Sequence, residues 1–548
     1  MSTTTNNGRP APPDVEEQVV DDPFGTNLIS RLANEIYAES QGRVPVSEPA
    51  SARPSNTSVA FPPVHPAQKT LVRQPSKPSP TSSGGANSEN SHAYGEPRCE
   101  PRLHPRGTVE PDVGRTTPFG EAPYYFLKSK ENTGETPPAL APSWDIGSVR
   151  RDFPALRQQV NGWPLIWLDN AATTHKPQAV IDATSQFYAR DNSNIHRVAH
   201  TLAARSTELF EAAREKVRKF IGAADAKEIV FVRGTTEAIN LVAQSYGRKN
   251  IGAGDEVILT EMEHHANIVP WQLLAEQTGA LIRVVPINDR GELVLEEYAK
   301  LLSPRTRFVA VTHVSNALGT INPLENIIAL AHALGVLVLV DGAQSAPHFP
   351  VNVSLLDADF FVFSAHKIFG LTGIGALYGK APLLEAMPPW QGGGHMIKDV
   401  RFEKTTCQHA PEKFEAGTPD IAGAVGLGAA IDYLTKLGLP AMAAYEHSLL
   451  EYATGALSTV PGLRPIGTAA NKASVLSFVI PGVSNESIAR HLDKQGIAVR
   501  AGHHCAQPAQ RHFGLEGTVR PSLAFYNTPD EVDALVRALR LLDRSSTL

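Results

Sequence analysis

The chain has 548 residues and a net charge of −6, but its composition is uneven: residues 1–143 hold 22 of the 43 prolines, only 22 Leu, Ile, Val or Phe, and none of the five tryptophans. A stretch so poor in apolar side chains cannot bury enough surface to offset chain entropy, so a disordered extension is expected, followed by 405 residues of globular composition. Basic and acidic residues nearly balance on both sides of residue 143 (13 against 16, then 37 against 40), which excludes a strongly basic nucleic-acid surface.

Other classes fall away as quickly. No apolar run approaches the ~18–20 residues of a membrane span. Three cysteines (Cys99, Cys407, Cys505) cannot build a disulfide framework, which points to a reducing compartment. The N-terminus lacks a basic-then-apolar signal pattern, and Asp14, Glu16, Glu17, Asp21 and Asp22 argue against a transit peptide. The expectation is a cytoplasmic protein with no nucleic-acid or membrane partner.

Two islands interrupt the extension. Residues 22–37 place Leu28, Leu32 and Ile36 at helical spacing behind a Thr26 or Asn27 cap, and residues 119–127 crowd four aromatics into nine positions. They read either as residual apolar composition in a linker or as docking motifs for a partner groove.

From about Trp144 strand and helix alternate. Short runs rich in β-branched and aromatic residues, Ile229–Val232, Glu256–Thr260, Phe308–Thr312, Val336–Val340 and Phe360–Phe363, have the character of buried parallel strands. Helical patterns between them, such as 203–221 and 323–334, imply a mostly parallel sheet covered on both faces. After about residue 425 the order changes to helices at 425–437 and 440–459, a strand at 475–480, a helix near 485–495, strands at 497–500 and around 519–525, and a last helix from Pro529. The predicted division is 1–143 extension, 144–163 N-terminal segment packing on the smaller domain, 164–420 large α/β domain and 421–548 small α+β domain.

In such sheets ligands sit at the carboxyl ends of strands. Arg233-Gly-Thr-Thr-Glu237 opens a helix after one strand and can cradle a phosphate, although Gly-Thr-Thr is also an ordinary cap. Asp341 ends another strand; a carboxylate there can bind Mg²⁺, act as a base or pair with a protonated ring nitrogen. Lys367 follows Phe363-Ser-Ala-His366, and a lysine buried at a strand end is costly unless deprotonated or covalently used. Phosphate cradle, strand-end Asp and strand-end Lys are together the parts of a pyridoxal 5′-phosphate (PLP) site. Two histidine pairs remain, His264-His265 and His503-His504 beside Cys505. Adjacent histidines seldom converge on one metal and no second cysteine is near, so no metal is expected; Cys505 is either a buried structural thiol or, among potential cations, a nucleophile.

Eight stretches then occur in family order: Leu168-Asp-Asn-Ala-Ala172, Phe231-Val-Arg-Gly-Thr-Thr-Glu237, Met262–Trp271, Thr312-His-Val-Ser-Asn316, Val340-Asp-Gly-Ala-Gln344, Phe363-Ser-Ala-His-Lys367, Phe414-Glu-Ala-Gly-Thr-Pro419 and Arg500-Ala-Gly-His-His-Cys505. With these the chain resembles, over about 148–543, the group II cysteine desulfurases of the SufS type, PLP enzymes of the fold type I, aspartate-aminotransferase-like class. The resemblance implies that Lys367 holds PLP and shuttles the Cα proton, Asp341 pairs with the pyridinium nitrogen, His264 stacks on the ring and Gln344 bonds its phenolic oxygen. Thr235, Thr236, Ser364 and His366 would bind the phosphate, joined by Thr418 of a second subunit in a homodimer. Asn316, Arg500 and Arg520 would hold the L-cysteine substrate, and Cys505 would take its sulfur as a persulfide. The sequence departs from the family's usual Arg-Ala-Ser at Arg520-Pro-Ser522. A selenocysteine lyase shares every one of these residues, and an inactive cargo or scaffold protein of the same fold is the alternative of another class. The extension is similar to the cargo-loading region of desulfurases packaged in family 2 encapsulin shells, which implies that the islands at 22–37 and 119–127 dock on a shell wall. A SufE- or SufU-like sulfur acceptor is an implied partner, and Cys99 and Cys407 receive no role.

Overall fold

The computed structural model describes residues 144–196 and 199–542. The islands at 22–37 and 119–127 and Cys99 lie outside them.

Seven strands form the main sheet: β1 (Ile229–Val232), β2 (Glu256–Thr260), β3 (Leu281–Val285), β4 (Thr306–Thr312), β5 (Leu337–Asp341), β6 (Phe360–Ser364) and β7 (Gly375–Gly379), in the order β1-β7-β6-β5-β4-β2-β3. Pairings from β3 through β6 are all parallel, and β7 runs antiparallel to both of its neighbours. This corrects the reading of Ile229–Val232 as a parallel strand. A buried apolar run does not declare its pairing, and β1 meets only the reversed β7. Because β7 reverses twice, β1 still points the same way as β6, so the carboxyl ends of β1, β2, β4, β5 and β6 share one edge. Gly375 makes that edge compact, since a Cβ there would stand 2.4 Å from the Phe363 carbonyl and 2.7 Å from the Gly234 Cα.

Helices α1 (Thr201–Phe220), α2 (Thr235–Val242), α3 (Val269–Thr278) and α4 (Leu324–Ala333) connect or cover these strands. Trp271 of α3 is fully buried and packs 4.8 Å from Phe308 of β4, ring centre to ring centre, within a cluster that includes Leu259, Leu339 and Phe360. Burial of this kind supplies most of the drive to fold. Beyond the sheet come α5 (Ile421–Leu437) and α6 (Leu439–Ser458). Helix α5 starts four residues before the sequence pattern suggested, because the Asp420 carboxylate accepts the Gly423 N–H at 2.7 Å and caps it.

A second, four-stranded sheet joins β8 (Arg464–Pro465), β9 (Phe478–Val479), β11 (Thr518–Arg520) and β10 (Arg500–Gly502) in that order. Helices α7 (Asn485–Asp493) and α8 (Pro529–Arg540) accompany it, α8 with a Thr528/Glu531 capping box. The strands predicted at 475–480 and 519–525 are shorter than expected. Pro521 has no N–H to extend β11; its carbonyl accepts the Leu476 N–H instead. Early and late chain are tied by a parallel pairing of Ile166–Trp167 with Ile497–Ala498.

One buried ion pair braces this frame. Arg214 of α1 and Glu415 are each almost fully buried and meet through two bonds of 2.7 and 3.0 Å, while Glu415 also accepts the Phe231 N–H at 2.7 Å. Arg214 lies over the rings of Phe210 and Phe231. Glu415→Ala strands that guanidinium among apolar rings, with Glu211 and the Ile229 carbonyl left beside it. The expected loss is about 3 kcal/mol, at the low end for a broken buried pair, read as a lower urea midpoint with an unchanged slope.

Candidate active site

The shared carboxyl edge of the main sheet opens into a cavity of about 150 Å³. Eleven predicted residues line it: Thr235, Thr236, His264, Asn316, Asp341, Gln344, Ser364, His366, Lys367, Arg500 and Arg520. Thr418 is not among them. It lines a different and larger cavity of about 840 Å³, with Asn194, His196 and His395. Cys505 stands on the adjoining turn after β10 and is half-buried.

Each wall follows from a strand end. Asp341 is the last residue of β5, and its carboxylate accepts the Ala343 N–H at 2.9 Å. Burial raises its pKa, opposed by the nearby Lys367 charge. Lys367 sits in the short turn after β6. Among the described residues its ammonium makes no hydrogen bond or ion pair, and burial lowers its pKa to about 8 against the attraction of Asp341. An amine held near 8 has an appreciable neutral fraction at physiological pH. Gly234 takes φ of +148° before α2, where a Cβ would touch the Ser364 hydroxyl at 3.0 Å. The Thr235 N–H accordingly reaches Ser364 Oγ at 2.9 Å, and the two hydroxyls are also 2.9 Å apart. These hydroxyls and the first N–H groups of α2 form an anion cradle. His366 joins it as a neutral imidazole, lowered to about 4 by burial and then by Lys367.

His264 follows β2. Its Nδ1 accepts the Ala266 N–H at 3.0 Å, and burial, then Lys367, lowers it to about 3, so the ring is neutral. At the other end Arg520 is 1% exposed; one nitrogen reaches Asp169 at 2.9 Å, another the Asn316 carbonyl at 3.0 Å, and Nε has no partner. Pro521 therefore leaves Arg520 in the wall and only ends the strand. The Asn316 amide donates to the His504 carbonyl at 2.7 Å, and Gln344 donates to the Ala171 carbonyl at 2.6 Å.

The Cys505 turn is strained. His504 and Cys505 have φ of +54° and +56°, unusual for residues with a Cβ. Besides the Asn316 amide, the bonds that hold it include the His265 N–H to the Cys505 carbonyl at 2.7 Å, the Cys505 N–H to His503 Nδ1 at 3.0 Å, and His504 Nε2 with the Thr518 hydroxyl at 2.9 Å. Cys505 is near enough for a thiolate there to act on the charges of Lys367 and Arg520. Cys407, which receives no role from sequence, is the last residue of a hairpin strand, Thr405–Cys407 paired with Ile397–Val400.

Sequence reasoning passed over three contributors. Asp169 pairs with Arg520 across 351 residues. Glu263 is fully buried and accepts from the Thr260 hydroxyl, the Asn267 amide and the Thr312 N–H at 2.6–2.9 Å, clamping the ends of β2 and β4. His504 lines the cavity wall. All three stand inside the motifs quoted above, but nothing local reveals what they face.

The cavity fits PLP by its own chemistry: an unpartnered lysine amine, a buried carboxylate facing it, a flat neutral imidazole and an anion cradle at a helix start. Residues 166–535 match the family model described as aminotransferase class-V. The cysteine desulfurase of Synechococcus elongatus is 51% identical over 558 residues, covering 98% of this chain and 87% of that protein. The chain belongs to the PLP-dependent cysteine desulfurase family. The desulfurase of Pectobacterium atrosepticum is 52% identical over 73% of this chain and 99% of its own length. The crystal structure of the Escherichia coli cysteine desulfurase CsdA is 45% identical with a TM-score of 0.67, over 72% of this chain and 97% of that one. The main sheet with its reversed β7 is thus the fold type I architecture of this family.

The Lys367 environment predicts a pH dependence of stability. In cofactor-free protein the folded-state pKa of about 8 lies below the usual 10.5. Between those values the unfolded chain binds more protons, so stability rises with pH from about 8 to 10.5 and carries the full penalty below 8. Lys176 and Lys472, also lowered to about 8 by burial, contribute to the same rise, so Lys367→Met removes only its own share and is expected to be more stable than the parent at pH 7, by on the order of 2 kcal/mol. Parallel stability curves for the two proteins across that range would contradict the assignment.

Proposed function

We propose that the protein is a SufS-type, group II L-cysteine desulfurase that converts L-cysteine to L-alanine and leaves a persulfide on Cys505. The observation that carries this reading is the convergence of Lys367, Asp341, His264 and Arg520 on one cavity with Cys505 on the turn at its rim.

Lys367, Asp341, His264, Gln344 and the Thr235, Thr236, Ser364 and His366 cradle hold PLP, which when bound supplies an electron sink for the substrate Cα. Arg520 and Arg500 receive the substrate carboxylate, and Asn316 braces the Arg520 guanidinium through its backbone carbonyl and the Cys505 turn through its side-chain amide. Lys367 takes the Cα proton with the amine that burial keeps close to neutrality. The Cys505 thiolate then attacks the substrate sulfur. An S–S bond forms as the Cβ–S bond breaks, the electron pair stays with the carbon skeleton, and protonation at Cβ together with return of a proton from Lys367 to Cα completes alanine. His264, neutral at every working pH, offers a flat face without adding a charge that would oppose Lys367.

The enzyme is read as a cytoplasmic homodimer in which Thr418 of one subunit completes the phosphate site of the other, which accounts for its place outside the cavity of its own chain. The division at residue 420 separates the PLP-holding body from the part that carries Cys505. Residues 1–143 are read as a tether that loads the enzyme into an encapsulin shell, with a SufE- or SufU-like protein as sulfur acceptor. What supports the tether is its composition and the S. elongatus match, whose 98% coverage extends well into those residues. A tether holding many copies inside one shell raises effective concentration without new contacts.

Two outcomes are expected. Cys505→Ser should retain PLP but lose alanine production from L-cysteine by about 10³-fold or more, measured by amino-acid analysis. Deleting residues 1–143 should leave that rate unchanged and abolish co-purification with a co-expressed shell protein. A rate that collapses on deletion would place the extension in the catalytic fold.

A further inference from the structure

The two histidine pairs do not chelate as pairs, but one member of each meets Cys505. Ligand atoms of His265, His503 and Cys505 all lie within 4.8 Å of one another, and among the described residues this is the group of three that metal-ligating chemistry brings together. The rings of His265 and His503 stand 5.5 Å apart, tilted by 33°. We infer that His265, His503 and Cys505 form a site for a thiol-seeking divalent cation such as Zn²⁺, and that the bound ion caps the Cys505 sulfur and switches desulfuration off.

Donor type and count fit. One thiolate and two imidazoles are ligands that Zn²⁺ prefers, and three protein ligands leave a fourth tetrahedral position for water or a small thiol. Ligand atoms of such a site stand about 3.3–3.6 Å apart, from bond lengths near 2.0–2.3 Å. Closing from 4.8 Å asks for about 1 Å of movement. His503 is exposed and Cys505 and His265 are half-buried, so the side chains that must move are not locked in the core. Both rings also carry an available lone pair: His265 Nε2 accepts the Gln507 N–H at 3.2 Å and His503 Nδ1 the Cys505 N–H at 3.0 Å. A cation taking either nitrogen replaces a modest hydrogen bond with a coordinate bond. Nearby positive charge is partly answered, since Arg520 is paired with Asp169. Ligation releases the thiol proton to solvent and occupies the sulfur lone pairs that would otherwise attack the substrate.

The binding stands on the three side chains alone; the inhibition rests on Cys505 being the sulfur acceptor. Co²⁺ is the probe, titrated into PLP-loaded full-length enzyme. Expected is one equivalent per chain with the intense d–d bands of tetrahedral cobalt and a thiolate-to-cobalt charge-transfer band. Cys505→Ser should lose the charge-transfer band, while His503→Ala and His265→Ala should each weaken binding by about 10–100-fold. His503 is exposed, so its variant keeps the fold even if His265→Ala does not. In parallel, Zn²⁺ should suppress alanine production at the concentration that displaces Co²⁺, and a chelator should restore it. Absence of the charge-transfer band, or binding unchanged in His503→Ala, overturns the site while leaving the desulfurase reading intact. Tight binding that depends on Cys505 without loss of alanine production overturns the switch, and with it the role of Cys505 as acceptor.

Discussion

The Lys367 amine and the Asp341 carboxyl share one cavity, and that juxtaposition governs the rest of the site. Each group is perturbed by burial in the direction that neutralises it, and each is opposed by the charge of the other. The fold achieves this by ending β5 at the carboxylate and turning sharply after β6 to place the lysine opposite. Neutral imidazoles, His264 and His366, occupy the flanks where a further cation would push Lys367 lower still. The permanent guanidinium, Arg520, lies at the substrate end and is anchored by Asp169.

That geometry depends on the reversed strand. Gly375 lets β7 lie against both Phe363 and Gly234, and so brings the cradle at the start of α2 beside Ser364 and into reach of the cavity that holds Lys367. The Cys505 turn comes from a separate sheet and is docked by reciprocal backbone and side-chain bonds with His265 and Asn316. The turn that carries this half-buried thiol adjoins the cavity.

Much of this is legible in the sequence. Short β-branched runs marked five of the seven strands, and Asp341 and Lys367 were suspect because charged groups at buried strand ends need a reason. What was not readable involves partners far apart in the chain or pairings without a local signature. Asp169 gains meaning only when β11 brings Arg520 to it. The direction of β1 depends on a strand more than 140 residues later. At Pro521, where the sequence departs from the family's usual pattern, the strand ends while Arg520 stays in the cavity wall. The histidine pairs were judged as neighbours in sequence, whereas the fold draws one from each pair toward Cys505.

In the proposed reaction, sulfur leaves the substrate for the thiol at the cavity rim. Its most direct test is mass spectrometry of PLP-loaded enzyme after a single turnover with L-cysteine and no acceptor. The peptide containing Cys505 is expected to gain the mass of one sulfur atom, in proportion to the alanine formed, while Cys407 stays unmodified. Alanine formed with Cys505 unchanged, or with the added sulfur on Cys407, would contradict it.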